Sequence, residues 1–314
     1  MKKIAFLFPG QGSQTVGMGY ELFQEYDFVR EIFAAADDIA GAPISQYCFK
    51  GPMETLTETV NLQPAVTAVN LACLEAIQRA GITCDFSAGH SLGEYSALAS
   101  ARVVSMADIL RLVFKRGELM HRESLKHKGA MSAIIGLDIQ AVDALVQVGR
   151  STGTGVLAVA NHNSEQQIVV TGAPEAVAAV SETAKSRGAR AIPLKVSGAW
   201  HSDLIKGAED EFTAFLNTFP FSSPANSVIH NVTADRCEDG KAIQRLMARQ
   251  LCSPVRWYDT IRCLVSEKVN VFVEVGPGSV LTGLLKKNVP ADYDHTVFAV
   301  SNMKTLDTLI SALA

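Results

Sequence analysis

Residues 85–98 read DFSAGHSLGEYSAL, and the fold turns on how this stretch is understood. A short segment from Asp85 to Gly89 leads into the pentapeptide Gly89-His90-Ser91-Leu92-Gly93, and helix-forming residues follow from Gly93 to about Ser100. Strand, sharp turn, helix is the setting of a nucleophile elbow. There, glycines allow a turn too tight for side chains, and the serine is thrust into the open at a helix N-terminus. The pentapeptide alone equally fits a serine that only caps the helix. The surrounding chain has to decide between the two.

Working outward, short apolar runs alternate with helical periods, which indicates α/β architecture. The first strand is placed over Lys3 to Phe8. Pro64 is read as the start of a helix, with Val66, Val69, Cys73, Leu74 and Ile77 at helical spacing and Gly81 at its C-terminal cap. Ser105 and Asp108 form a capping-box-like start for a helix running to about Leu125. Between Gly129 and Val196 the order becomes strand, helix, strand, strand, helix, strand, which is the split-βαβ or ferredoxin-like unit. This predicts a small subdomain over 128–196 inserted into a larger catalytic domain made of 1–127 and 197–314. The larger pattern resumes with strands near Val228 to Val232, Val271 to Val275 and Val297 to Val300.

Composition excludes several classes of function. The 314 residues carry a net charge of -4 and are 48% hydrophobic, so there is no basic field to make nucleic acid a main ligand. Cys48, Cys73, Cys84, Cys237, Cys252 and Cys263 form no CxxC pair, which suggests reduced thiols in a cytoplasmic protein. No HExxH or Cys/His grouping suggests a metal. No run approaches the roughly 20 apolar residues of a membrane span, so no membrane association is expected.

Serine acyl chemistry makes demands that other segments answer. The first strand is followed by Phe8-Pro9-Gly10-Gln11-Gly12-Ser13-Gln14, a loop able to offer a second oxyanion N–H beside that of the residue after the serine, Leu92. A dinucleotide loop is the rival, but Thr15 stands where GxGxxG needs its last glycine. A base is also required, and His201, in Val196-Ser197-Gly198-Ala199-Trp200-His201-Ser202, sits where the chain leaves the inserted unit. Arg116 lies on the flank of the apolar stripe of Ile109, Val113 and Met120, while Arg111 and Lys115 point away. A guanidinium there needs an anion, either an internal carboxylate or a substrate one. Val273-Glu274-Val275-Gly276-Pro277-Gly278-Ser279 reads as a tight turn at the rim of the site, with phosphate binding as the alternative. The clusters Lys126/Lys128, Lys185/Arg187/Arg190 and Lys286/Lys287 read as solvated faces, or else as a docking surface for an acidic partner.

Together these segments resemble the malonyl-CoA:acyl carrier protein transacylases of fatty acid and polyketide synthesis. The resemblance runs along the chain: FPGQGSQ at 8–14, LQPAV at 62–66, GHSLGEYSAL at 89–98, KRGELM at 115–120, GAM at 129–131, ANHNS at 160–164, SGAWHS at 197–202, SPVRW at 253–257 and VGPGSVL at 275–281. It implies an α/β-hydrolase-like large domain with a ferredoxin-like (βαββαβ) small domain inserted. It also implies Ser91 as nucleophile and His201 as base, the histidine being oriented by a main-chain carbonyl rather than an aspartate. Gln11 and Leu92 would form the oxyanion hole, and Arg116 would clamp the malonyl carboxylate. Gln250, Gln63 and Trp200 would complete the substrate site.

The implied substrate is malonyl-CoA and the implied acceptor is the phosphopantetheine thiol of acyl carrier protein, in a ping-pong reaction of a monomer without cofactor. Leu92 matches malonyl-selective members, whereas Trp200 replaces a more usual phenylalanine. The alternatives are a polyketide or malonate-decarboxylase acyltransferase of other selectivity, a serine acyl-thioester hydrolase, and a non-catalytic carrier-protein-binding subunit.

Overall fold

The computed structural model describes residues 2–153 and 155–313. Its strands are β1 Ile4–Phe8, β2 Phe86–Gly89, β3 Ala130–Ile135, β4 Leu157–Ser164, β5 Gln167–Gly172, β6 Arg190–Pro193, β7 Ser227–Ile229, β8 Val271–Val275 and β9 Thr296–Val300. Five of them form one all-parallel sheet in the order β7-β2-β1-β8-β9. Parallel strands covered on both faces are apolar throughout, which is why Ile4–Phe8 reads IAFLF. Phe6 and Phe8 join the core formed with the helices Thr59–Arg79 and Met106–Lys126, while Ala5 and Leu7 join Trp257, Ile261 and Leu285 on the opposite face.

The other four strands form an antiparallel sheet in the order β4-β5-β3-β6. Its helices, Ile139–Ser151 and Pro174–Ser186, close a separate core around Ile134, Val142, Leu145, Ile168 and Val170. From Ala130 to Pro193 these elements follow the order βαββαβ. The chain enters and leaves this unit side by side, because a Cβ on Gly129 would lie 2.4 Å from the Ala199 nitrogen. A bridge between Asn161 and Val255 then ties β4 to the larger unit, with His162 N–H donating to the Val255 carbonyl at 2.9 Å.

Three expectations need correction. Pro64 does not start its helix, which begins at Thr59. Proline there removes a single N–H from the ladder, and the helix continues because Asn61 to Leu74 are buried on every side. By length and composition that helix could also cross a membrane, although it holds no unbroken apolar run of that length. It is instead the central core helix. The strand read over 228–232 ends at Ile229, since the chain turns back there, His230 N–H donating to Asp235 and Ala234 N–H to His230. Similarly, β6 stops at Pro193: Leu194 N–H still donates to the Met131 carbonyl at 2.9 Å, but the chain then bends, with Val196 N–H donating back to the Leu194 carbonyl at 3.0 Å.

The carboxyl ends of the parallel strands converge, the usual site position in such sheets. The loop after β1, the turn after β2 and the turn after β7 bring Gln11, Ser91 and Asn231 to one edge. The elbow is packed backbone to backbone: a Cβ on Gly93 would sit 2.0 Å from the Phe8 carbonyl oxygen, and one on Gly89 2.0 Å from the Gly93 carbonyl carbon. Gly93→Ala is therefore expected to destabilise the protein by about 3 kcal/mol. Gly283→Ala, in an exposed helical position with nothing within 4 Å, should stabilise it by up to about 1 kcal/mol. Chemical denaturation midpoints check the pair, and equal shifts would contradict the packing described.

Candidate active site

Ser91 has φ 51, a left-handed conformation unusual for serine and one that the surroundings must enforce. Asn231 does so from the end of β7, its Oδ1 accepting from Ser91 N–H at 2.8 Å and its Nδ2 donating to the Gly89 carbonyl at 2.7 Å. Gln250 adds a bond from Nε2 to the Ser91 carbonyl at 2.9 Å. The buried Glu94, on the helix after the elbow, accepts from Gln250 Nε2 at 2.6 Å, from His230 Nδ1 at 2.9 Å and from Asn231 N–H at 3.3 Å.

His201, also left-handed at φ 60, presents Nε2 to Ser91 Oγ at 2.8 Å. Its Nδ1 faces the main-chain carbonyls of Gln250 and Ser253 at 3.1 and 2.9 Å. Carbonyls only accept, so Nδ1 carries the hydrogen and Nε2 the lone pair that accepts the serine hydroxyl. Burial, reinforced by the nearby Arg116 charge, pushes the His201 pKa down to about 3, so the ring is neutral throughout the physiological range.

Arg116 is 1% exposed. Its Nη1 donates to Gln63 Oε1 at 3.0 Å, and Nη2 donates to Gln250 Oε1 at 3.3 Å and to Ser91 Oγ at 3.2 Å. The Tyr95 ring lies against it, with 5.6 Å from Cζ to the ring centroid. All the hydrogen-bond acceptors are neutral, and among the described residues no carboxylate forms an ion pair with it. Glu94 makes no direct hydrogen bond to it; the two are linked through the Gln250 amide and by the attraction of their charges. The commoner of the two sequence-level options, an internal carboxylate partner, is thus not what the structure contains.

A cavity of about 90 Å³ lies against Ser91, walled by Arg116, Met120, Met131, Val196, Trp200 and His201. Gln11 and Leu92 border it, and among the described residues neither main-chain N–H has a hydrogen-bond partner. It adjoins a cleft of about 410 Å³ that shares Gln11, His90, Asn161 and Leu194 and extends toward Lys287. All eight sequence-selected site residues meet around Ser91, either on this wall or, for Gln63 and Gln250, as partners of Arg116.

The VGPGS loop does not offer a free helix N-terminus to phosphate. Glu274 already accepts from the N–H groups of Leu281 and Thr282 at 2.9 and 2.7 Å. Of the basic clusters, Lys126 pairs with Glu123 and Lys185 with Glu182. Among the described residues no group of histidine, cysteine and carboxylate side chains could hold a metal.

Sequence reading missed Glu94, His230, Asn231 and Ser253. A usable signal existed for two of them. His230 and Asn231 are polar residues just beyond an apolar parallel strand, where sites collect. Ser253 acts through its carbonyl, which leaves no side-chain signature.

A family model described as "Acyl transferase domain" matches residues 5–308, and the chain belongs to that family. Within it, the chain falls among the malonyl-CoA:acyl carrier protein transacylases. It is 42% identical over 314 residues to the malonyl CoA-acyl carrier protein transacylase of Bacillus subtilis, covering 100% of this chain and 98% of the relative. A Staphylococcus aureus protein of the same name is 39% identical over 91% of this chain and 92% of its own. Among solved structures, FabD from Acinetobacter baumannii superposes with a TM-score of 0.93 at 35% identity, covering 99% of this chain and 98% of that one. An acyl carrier protein S-malonyltransferase from Vibrio cholerae gives 0.92 at 37% identity, covering 98% and 100%.

The neutral His201 has a kinetic consequence. A base with its pKa lowered to about 3 is deprotonated from about pH 4 upward, so its competence is lost only in more acidic solution. Labelling of Ser91 by a fluorophosphonate is expected to show no acid-side fall between pH 5 and 7. A fall centred near the ordinary histidine value of about 6.5 would contradict the burial argument.

Proposed function

We propose that this protein transfers the malonyl group from malonyl-CoA to the phosphopantetheine thiol of acyl carrier protein through a malonyl-Ser91 intermediate. The observation that carries the reading is Arg116: a buried cation without a paired carboxylate, 3.2 Å from the serine oxygen. A site for an uncharged acyl group has no use for such a charge, whereas a malonyl thioester carries a carboxylate on the far side of the reacting carbonyl. The planar guanidinium fork matches both of its oxygens.

In the first half-reaction His201 Nε2 takes the Ser91 proton as Oγ bonds to the thioester carbonyl carbon. The N–H groups of Gln11 and Leu92 receive the oxyanion. The C–S bond then breaks, and His201 returns the proton to the departing thiolate. In the second half-reaction His201 deprotonates the carrier thiol, sulfur attacks the serine ester, and the C–O bond breaks with the proton delivered back to Oγ. Malonyl-CoA and malonyl-carrier protein are both thioesters, so the exchange runs in either direction. A hydrolase could share Ser91 and His201, but would have no need of Arg116.

Mixing the protein with malonyl-CoA should give a malonyl adduct on Ser91 by mass spectrometry, discharged by holo-acyl carrier protein and absent in Ser91→Ala. A folded Ser91→Ala protein that still transfers malonyl would sink the proposal. Arg116→Ala should lower malonyl transfer by about a hundredfold while acetyl transfer holds or improves, as expected when a charged hydrogen-bonded pair is lost. Equal losses for both acyl groups would remove Arg116 from substrate binding.

A further inference from the structure

Trp200 is 4% exposed and shares the cavity wall with Arg116. The Cζ3–Cη2 corner of its ring lies 2.6 Å from where a Cβ on Gly198 would sit, so the ring is packed on that side and its pyrrole edge, with Nε1, faces the other way. Among the described residues that N–H has no acceptor. A buried donor without an acceptor is destabilising, and folded proteins keep few of them. Arg116 Nε, on a residue of the same wall, and the Trp257 indole also lack acceptors, but Trp257 lies in the core behind the sheet, edge-on to the His90 ring at 5.5 Å, and does not line the cavity.

Met120, Met131, Leu194 and Val196 give this cavity an apolar stretch, and Gln11, His90 and Asn161 also line it. A carboxylate has two oxygens and about four lone-pair sites, and the two terminal nitrogens of one guanidinium cannot fill them all. A bound malonyl group would therefore bring surplus acceptor capacity into a cavity whose wall holds a donor without a partner. Resting on the malonyl-transfer reading, we propose that the Trp200 indole N–H is a second donor to the distal carboxylate of the acyl group. Acyl selectivity is then set by Arg116 and Trp200 together.

Replacing Trp200 with β-(3-benzothienyl)alanine tests this, because the ring keeps its shape while sulfur takes the place of the N–H. Single-turnover acylation of Ser91, followed by intact-protein mass spectrometry, should fall roughly tenfold with malonyl-CoA, as for a lost hydrogen bond to a charged group, and change less than about twofold with acetyl-CoA. The unchanged acetyl rate also shows that the fold is intact. Equal effects on both acyl groups, or none on either, overturn this inference and leave the transfer reading standing. Failure of the unmodified protein to form any malonyl-Ser91 adduct overturns both.

Discussion

The left-handed backbone at Ser91 is the constraint around which the rest of the site is arranged. It exists because Gly93 lies against the Phe8 carbonyl and Gly89 against the Gly93 carbonyl, contacts that admit no side chain. Such a conformation persists only when its surroundings over-determine it. Here Asn231 holds the amide on one side of the serine and Gln250 the carbonyl on the other, and both are bonded in turn to the buried Glu94. One carboxylate thus ties together the turn after β2, the turn after β7 and the helix Gly240–Gln250, three parts of the chain far apart in sequence.

Gln250 is where positioning and electrostatics meet. Its carbonyl accepts from His201 Nδ1, its side-chain oxygen accepts from Arg116, and its side-chain nitrogen donates to Glu94. The orientation of His201 and the placement of the cation therefore share one residue, with Ser253 as the second support of the ring and Gln63 as a second support of the guanidinium. The two groups are also coupled by charge, since Arg116 helps hold the His201 pKa down. An acyl carboxylate on Arg116 would offset that charge and make His201 more basic at the stage when it must accept a proton from the incoming thiol. The anion proposed to bind Arg116 would so prepare the proposed second half-reaction.

Much of the architecture is legible in the sequence because it is written in local pattern. The run IAFLF, the elbow pentapeptide and the βαββαβ periodicity each reflect nearby residues, and Ser105 caps its helix through Asp108 N–H as its spacing suggests. Pro64 misled because its local meaning, a helix start, was overridden by burial of the whole helix. The position of Arg116 on an apolar flank was readable from helical spacing. Its lack of a carboxylate was not, since that depends on residues from 63 to 250 that only the fold brings together. Asn231 and Glu94 escaped for a similar reason: their work is to hold the main chain of a distant turn, which leaves no spacing to read.

The central claim is that Arg116 stands without a paired carboxylate so that the acyl group can supply one. A structure of the Ser91 acyl-enzyme trapped with malonyl-CoA tests this most directly. The account predicts both distal oxygens on the guanidinium at about 2.8 Å, with the Gln250 side-chain oxygen displaced from Nη2. A malonyl-Ser91 whose carboxylate points into the cleft toward Lys287, with Arg116 still bonded to Gln63 and Gln250, would contradict it.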